Sequence, residues 1–123
     1  MLSQIIVIES DIRVREALEA EFEGLFTGMF FASLLDAIKA LEEGSVTPLP
    51  QAAIVQMVNN SNDELCRLMD FLSPFQNVSV FVTLNYDGDF QILQSHIRSY
   101  TPYIFFRPFE IDKLVNSLKT LNL

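Results

Sequence analysis

The sequence predicts an α/β fold, a doubly wound parallel sheet of five strands covered by helices on both faces as a three-layer sandwich. Short continuous apolar runs alternate along the chain with segments whose apolar residues recur at helical spacing, which is typical of βα units around a buried sheet. Four of those runs also stop at a polar residue just before a helical pattern begins. Because carboxyl ends of parallel strands share one edge, we expect those polar side chains to meet there.

The first two βα units come from residues 5–44. The run at 5–8 predicts the first strand, and a short run at 29–31 predicts the second. Ser33 is typical of a helix N-cap, with Asp36 three residues on, and Gly44 is expected to end that helix. The apolar stripe of the first helix is Val14, Ala17, Leu18, Phe22 and Leu25, and that of the second is Leu34, Ala37, Ile38 and Leu41.

The third and fourth units follow a loop with two prolines, expected at 45–50. The run at 52–58 predicts the third strand and that at 78–82 the fourth. Asn62 or Asp63 is expected to cap the third helix, which Pro74 closes, and the turn at 87–89 (Asp-Gly-Asp) opens the fourth helix. The apolar stripes of these helices are Leu65, Leu68, Met69 and Leu72, then Phe90, Leu93, Ile97 and Tyr100.

The fifth unit completes the alternation. A run at 103–106 predicts the last strand, and Ile111, Leu114, Val115 and Leu118 mark the last helix. We expect one domain over residues 1–123, because the chain has no internal repeat, no low-complexity segment and no long linker. The Phe30-Phe31 and Phe105-Phe106 pairs are most simply interpreted as core of strands buried on both faces.

Composition limits the function classes. Half of the residues are hydrophobic and 20% are charged, which indicates a folded globular unit. The formal charge is −8, from 16 acidic and 8 basic residues, and the bases are scattered, which argues against binding of nucleic acid by this domain. No apolar stretch is long enough to span a bilayer, so no membrane contact is expected.

Localisation is expected to be cytoplasmic. The N-terminus lacks a basic leader and a small-residue cleavage site, so it is not expected to be a signal peptide. The single cysteine, Cys66, permits no internal disulfide, which fits a reducing compartment, and we expect it to be an inert, partly buried thiol. His96 lacks any metal or triad spacing partner and is interpreted as an ordinary helix residue.

Three groups of residues at the strand ends carry a family resemblance. They are Glu9-Ser10-Asp11 followed by Val14, Arg15 and Leu18; Thr83 after the fourth run; and Arg107-Pro108-Phe109 after the fifth. In this order and spacing the chain resembles, over essentially its whole length, the receiver domain of two-component response regulators. The resemblance implies a flavodoxin-like (βα)5 fold of strand order 2-1-3-4-5, a cis peptide before Pro108, and a role in bacterial-type phosphorelay signalling.

The departures from that family predict an atypical receiver. The family carries a phosphoacceptor aspartate at the end of the third strand, where this chain has Gln56. A carboxamide has no anionic oxygen to attack phosphorus, so we expect aspartyl phosphorylation to be lost. Glu9, Ser10 and Asp11 form a vestigial acidic pocket, because two of the three carboxylates that hold Mg²⁺ in the family are replaced by neutral groups. Mg²⁺ binding is therefore expected to be weak or absent, with no other cofactor.

The fifth strand also departs from the family. Arg107 replaces the family lysine, and without a phosphoryl group we expect it to pair permanently with Glu9 or Asp11 as a clamp across the site. Thr83 and Pro108 complete this pocket. Ile104 stands where the family tends to have an aromatic switch residue, between Tyr103 and Phe105, so no hydroxyl–aromatic switch is expected.

The function expected from these residues is phosphorylation-independent protein–protein interaction, not catalysis. The resemblance marks the face of the fourth helix, fifth strand and fifth helix as the surface for a protein partner, an output domain or a second copy of the chain. Candidate residues on this face are His96, Arg98, Tyr100, Tyr103, Ile104, Phe105, Lys113 and Lys119.

Two alternatives remain open at the level of sequence. A flavodoxin-like cofactor-binding or enzymatic domain would need glycines around a phosphate, whereas this chain has four glycines in all and an acidic first turn. A hydroxyl of Ser10 or Thr83 could instead accept a phosphoryl group, although no histidine base lies near either in the predicted site.

Overall fold

In the part of the chain that the structure describes, five strands and five helices alternate strictly. The computed structural model describes residues 2–44, 50–75, 77–85, 90–121 and 123, without the side chains of 90–92. The strands are β1 (Ser3–Ile8), β2 (Phe26–Phe31), β3 (Ala52–Met57), β4 (Ser79–Asn85) and β5 (Tyr103–Arg107). The helices are α1 (Ile12–Phe22), α2 (Leu34–Glu42), α3 (Asn62–Leu72), α4 (Phe90–Tyr100) and α5 (Ile111–Lys119).

The strands form one parallel sheet in the order β2-β1-β3-β4-β5. This order confirms the predicted doubly wound, flavodoxin-like fold. Alternation along β1 divides the core into two layers, with Ile5 and Val7 in the layer of α1 and α5, and Ile6 and Ile8 in the layer of α2, α3 and α4. The central strands are buried on both faces, which is why their sequences are continuous apolar runs.

Some element boundaries differ from those predicted. β2 begins at Phe26, three residues earlier than the run at 29–31 indicated, because Phe26 pairs with Ser3 of β1. β4 begins at Ser79 and continues to Asn85, so Thr83 lies inside the strand. Parallel pairing of β3 with β4 continues to Met57 and Leu84, and this tertiary pairing extends β4 beyond the polar residue.

The helix termini confirm one predicted cap and correct another. The Ser33 hydroxyl accepts a hydrogen bond from the Asp36 amide at 3.2 Å and caps α2 as predicted. The prediction of Asn62 or Asp63 as cap of α3 is wrong, because Ser61 is the N-cap and its hydroxyl accepts from the Glu64 amide at 3.2 Å.

Three burial predictions are wrong. Leu25 lies beyond the end of α1 and is 40% exposed, since the chain turns at Gly24, whose φ is +78°. Cys66 is exposed rather than partly buried. Phe106 is 39% exposed, whereas Phe30, Phe31 and Phe105 are half-buried against the core.

Parts of two predicted loops lie outside the described residues, namely 45–49 of the proline-containing loop and the turn at 87–89. The peptide bond between Arg107 and Pro108 is cis, as the resemblance implied. Among the helices that the structure describes, none has the length and apolar character needed to cross a membrane.

Candidate functional site

Polar side chains from four strand ends reach the carboxyl edge of the sheet. Glu9 follows β1 directly. Gln56 of β3 is in register with Thr83 of β4, and Asn85 of β4 is in register with Arg107, the last residue of β5. The edge therefore collects acid, amide, hydroxyl and guanidinium groups, as expected for a parallel sheet.

A bidentate ion pair joins the first and last strands. Arg107 Nη1 lies 2.5 Å from Glu9 Oε1, and Arg107 Nη2 lies 2.9 Å from Glu9 Oε2. The Glu9 side chain is 1% exposed and the Arg107 side chain 14% exposed. The guanidinium carbon also lies 5.5 Å from the ring centre of Phe109, within cation–π range. Of the two acids that the sequence offered to Arg107, the structure uses Glu9.

Thr83 and Gln56 are drawn into the same arrangement. Arg107 Nη1 donates to Thr83 Oγ1 at 3.3 Å, and Thr83 is fully buried. Gln56 Oε1 accepts a hydrogen bond from the Ser10 amide at 2.7 Å, and both residues line a cleft of about 400 Å³ between the sheet edge, α2 and α3. The side-chain amide of Gln56 thus stabilises the turn after β1 through its hydrogen bond to Ser10.

Asp11 serves the start of α1. Its carboxylate accepts from the Arg13 amide at 2.9 Å and from Arg13 Nη2 at 3.2 Å. The hydrogen bond from the Arg13 side chain, and after it that from the Arg13 amide, lowers the pKa of Asp11 below its ordinary value of 3.8. The same side-chain hydrogen bond raises the pKa of Arg13. Because the pKa of Asp11 is lower in the folded protein than in the unfolded chain, these hydrogen bonds stabilise the fold at pH values above the ordinary pKa. The stabilisation is lost as the pH falls through the pKa of Asp11 in the folded protein. Asp11 is the N-cap of α1, and it also lines a small cavity together with Arg107 and Pro108.

Arg15 fixes the turn that carries Glu9, a role that sequence reasoning missed. Its Nη1 donates to the Glu9 carbonyl at 2.7 Å and to the Ser10 carbonyl at 3.2 Å. The Asp11 amide donates to Glu9 Oε2 at 3.0 Å. The Glu9 carboxylate therefore accepts from backbone and guanidinium together, which is how a buried carboxylate remains stable.

Glu64 is a second carboxylate at this edge that sequence reasoning missed. It accepts hydrogen bonds from three successive backbone amides in the loop after β3, those of Val58 (2.8 Å), Asn59 (3.0 Å) and Asn60 (3.1 Å). Asn60 has a φ of +49° and its Nδ2 donates to the Asn85 carbonyl at 3.0 Å. An internal anion thus fixes the loop that follows Gln56. The signal available in the sequence is the capping-box spacing of Ser61 and Glu64.

The donor set at the edge does not suit a divalent cation. Both Glu9 oxygens are engaged by Arg107, whereas Ser10 and Gln56 are neutral. Mg²⁺ requires near-octahedral oxygen ligation with carboxylate help. Within the described part of the chain, no three His, Cys, Asp or Glu side chains are grouped so that they could hold a metal ion.

The candidate interaction residues divide into surface and core. His96, Arg98 and Tyr100 of α4 are exposed, as are Lys113 and Lys119 of α5. The Tyr103 ring instead stacks on Phe81 with centroids 4.6 Å apart, and Phe105 lies 6.0 Å from the same ring. Ile104 packs against the opposite core layer. The strand residues of this face therefore support the core, and the two helices supply most of the accessible side chains.

Comparison with known proteins finds similarity of structure only. No sequence family matches the chain, and no curated protein matches its sequence. A response regulator from Thermotoga maritima superposes with a TM-score of 0.75 at 16% identity, with 98% of each chain covered. A CheY-like receiver domain from Methanospirillum hungatei JF-1 gives 0.74 at 12% identity, covering 98% of this chain and 94% of that one.

A third similar structure is the receiver domain of Francisella response regulator 1452. Its TM-score is 0.72 at 15% identity, and 97% of this chain and 95% of that chain are covered. Identities this low support the fold and not the chemistry. The chain therefore shares the fold of response regulator receiver domains.

Proposed function

We propose that this chain is a receiver-type signalling module that has lost aspartyl phosphorylation and acts by phosphorylation-independent interaction with a protein. The observation that carries this proposal is the buried, bidentate pair of Glu9 and Arg107 beside an amide at position 56. The resemblance implies that the acid at position 9 would bind a metal and the base at position 107 a phosphoryl group. In this pair each of the two groups is already bound to the other. The module works by binding and not by catalysis.

Loss of phosphorylation follows from the chemistry of the third strand. Gln56 is on β3, where the resemblance implies a nucleophile, and its Oε1 accepts a hydrogen bond from the Ser10 amide. A carboxamide oxygen carries no negative charge and cannot form an acyl phosphate. The nearby hydroxyl of Thr83 is fully buried and accepts from Arg107, so it is a poor alternative acceptor.

The proposed state of the site is a single fixed arrangement. A bidentate pair with little exposure links β1 to β5 across the two intervening strands. Removal of one partner from such a pair leaves an uncompensated charge, which makes the open arrangement costly. We infer that Mg²⁺ binds weakly or not at all, because the carboxylate it would need is already neutralised. A flavodoxin-like cofactor site is not favoured, since the three similar structures named above are response regulators or receiver domains.

Treatment with acetyl phosphate and Mg²⁺ should leave the mass of the intact protein unchanged. Beryllofluoride with Mg²⁺ should likewise leave the amide resonances around Gln56 unshifted. The physical reason is the absence of an anionic oxygen at position 56. The measurements are intact-protein mass spectrometry and amide NMR, with a phosphorylatable receiver domain treated in parallel to show that the reagents are active.

A stoichiometric gain of one phosphoryl group would contradict the proposal, and peptide mapping would then distinguish Ser10 and Thr83 from other acceptors. The variant Gln56→Asp separates two causes of inactivity. A mass gain in this variant alone assigns the block to the amide. If the variant is also inert, the Glu9–Arg107 pair contributes to the block.

The proposed partner surface is the face formed by α4, β5 and α5. Arg98 and Tyr100 are exposed there, Tyr100 at 53%, and β5 is an edge strand of the sheet. Aromatic and arginine side chains are enriched at protein interfaces. A second copy of the chain is the partner that can be tested with the protein alone.

If the chain forms a dimer through this face, amide shifts of α4 and β5 should depend on protein concentration, and Tyr100→Ser should abolish that dependence. Leu35→Ser is the matched control, because Leu35 is also an exposed apolar residue, 60% exposed, but lies on α2. Spectra that do not change with concentration, together with a monomeric mass in solution, would rule out the homodimer. Equal effects of the two variants would show that the face is wrongly assigned.

A further inference from the structure

A groove between α1 and the edge strand β2 combines an aromatic floor with an acidic rim. Its volume is about 540 Å³, and it lies at the edge of the sheet opposite to β5. The floor is formed by Phe22, Phe26 and Phe30, and the rim by Glu16, Glu19 and Glu23. None of these six side chains belongs to the Glu9–Arg107 site.

The floor is an ordered group of rings. Phe22 is 2% exposed, and its ring lies 5.4 Å from that of Phe26 and 5.7 Å from that of Phe30. Gly28 permits this packing, because a Cβ at that position would lie 2.3 Å from Phe30 Cε2. The Phe30 ring therefore lies over the glycine, and Phe26 and Phe30 remain half-buried at the surface.

The rim places like charges where a helix does not favour them. Glu16 and Glu19 are three residues apart, Glu19 and Glu23 four apart, and all three are exposed. Like charges at these spacings destabilise a helix, and acids at its C-terminal end also oppose the macrodipole. The last turn of α1 contains no basic residue, and among the described residues none of the three acids forms an ion pair. Such departures from local preference are expected at functional or strained sites, which makes this rim a candidate for binding.

The backbone beside the groove is also open. β2 pairs only with β1 in the described sheet. The Phe31 carbonyl accepts from the Glu9 amide, so the backbone groups of Phe31 face β1. Because backbone groups alternate in direction along a strand, those of Phe26, Gly28 and Phe30 face outward along the groove. An extended segment can therefore pair with this edge while its side chains contact the floor and the rim.

We propose that this groove binds a short cationic segment of a partner protein, added in extended form to the edge of β2. Lysine or arginine side chains of the segment meet Glu16, Glu19 and Glu23, and an apolar side chain lies on the phenylalanine floor. Charge complementarity selects this occupant, since three uncompensated carboxylates repel the phosphates of nucleic acids and of anionic membranes. This interaction goes beyond the proposed function and does not depend on the state of position 56.

The test is titration of the full chain with a blocked pentapeptide of alternating lysine and valine, followed by amide NMR at low salt. Shifts are expected at residues 16–30. The combined variant Glu16→Gln, Glu19→Gln and Glu23→Gln should weaken binding by about tenfold, because each exposed charge pair contributes modestly. Glu21→Gln is the matched control, an exposed glutamate of the same helix that does not line the groove, and it should leave the affinity unchanged.

Three outcomes would overturn the proposal. One is equal binding of a pentapeptide in which glutamate replaces lysine. Another is an effect of Glu21→Gln as large as that of the combined variant, which would indicate a diffuse charge effect. The last is a concentration-dependent shift of residues 26–30 without peptide, which would assign the groove to a second copy of the chain. Thermal unfolding of the combined variant checks its fold, and removal of three repelling charges should not lower its stability.

Discussion

Replacement of Arg107 by methionine should lower the free energy of unfolding by about 3–5 kcal/mol, because it leaves the Glu9 carboxylate buried without its partner. The Glu9 side chain is 1% exposed and accepts hydrogen bonds from both terminal guanidinium nitrogens of Arg107, Nη1 and Nη2. Methionine keeps much of the packing volume, so the loss reports the charge more than a cavity. The measurement is urea denaturation of the variant and the parent protein at neutral pH.

The double variant Glu9→Gln with Arg107→Met should recover much of that loss. With both charges removed, no ion remains buried, and an apolar replacement of a buried pair is often neutral. Lys113→Met is the matched control, because it breaks the exposed Lys113–Glu110 pair, in which the side chains are 72% and 68% exposed. That pair should contribute less than about 1 kcal/mol. A loss for Arg107→Met as small as the control's would show that the clamp is solvated and would remove the main support for a fixed site.

The fold was predictable from the sequence because the two periodicities are clear. The continuous runs of β1 and β3 indicate strands buried on both faces, and the order of the sheet follows from the family resemblance. The end of β4 was not predictable, because Thr83 is a polar residue within a strand and its side-chain partner, Arg107, lies 24 positions away. The end of β4 is set by its pairing with β3, and this pairing cannot be predicted from the residue pattern of β4 alone.

The direction of side chains on β5 was also beyond the sequence. In a run of apolar and aromatic residues, either face can be the core, and the partner surface that the family resemblance implies includes Tyr103, Ile104 and Phe105. The structure turns both rings toward Phe81 and leaves Phe106 partly exposed. The alternation of a strand shows which residues share a face of the sheet, but it does not show which face is buried. That depends on the helices that pack against the sheet.

At the site, sequence reasoning found the residues but not all of their bonds. Glu9 and Asp11 were equal candidates for Arg107, and the structure separates them by position. Glu9 directly follows the buried strand and is itself buried, whereas Asp11 starts a helix and bonds the Arg13 amide. Glu64 was missed because the cap of α3 was expected at Asn62 or Asp63 and not at Ser61. Its carboxylate also accepts from the loop after β3, which the capping-box spacing does not predict.

Replacement of Glu64 by alanine should lower the free energy of unfolding by about 1.5–3 kcal/mol, the range for hydrogen bonds to a charged group. Its carboxylate accepts from the amides of Val58, Asn59 and Asn60 at 2.8, 3.0 and 3.1 Å. The loss should not reach three times that range, because the amides of Val58 and Asn59 can bond water when the carboxylate is removed. Amide hydrogen exchange should accelerate at these three positions before it changes in β3.

Comparison of the stabilities of three variants tests whether the effect is specific to the Glu64 carboxylate. Glu64→Gln keeps one acceptor oxygen and should fall between the parent protein and Glu64→Ala, with the Val58 amide losing protection if the remaining oxygen serves Asn59 and Asn60. Asp63→Asn is the matched control, since Asp63 is an exposed acid in the same first turn of α3 and should cost at most about 1 kcal/mol through the helix dipole. If Asp63→Asn and Glu64→Ala change exchange at 58–60 equally, the loop is held by helix charge in general. A selective effect of Glu64 means that the chain supplies its own anion to the loop after Gln56, and Val58 and Asn59 of this loop line the cleft beside Gln56.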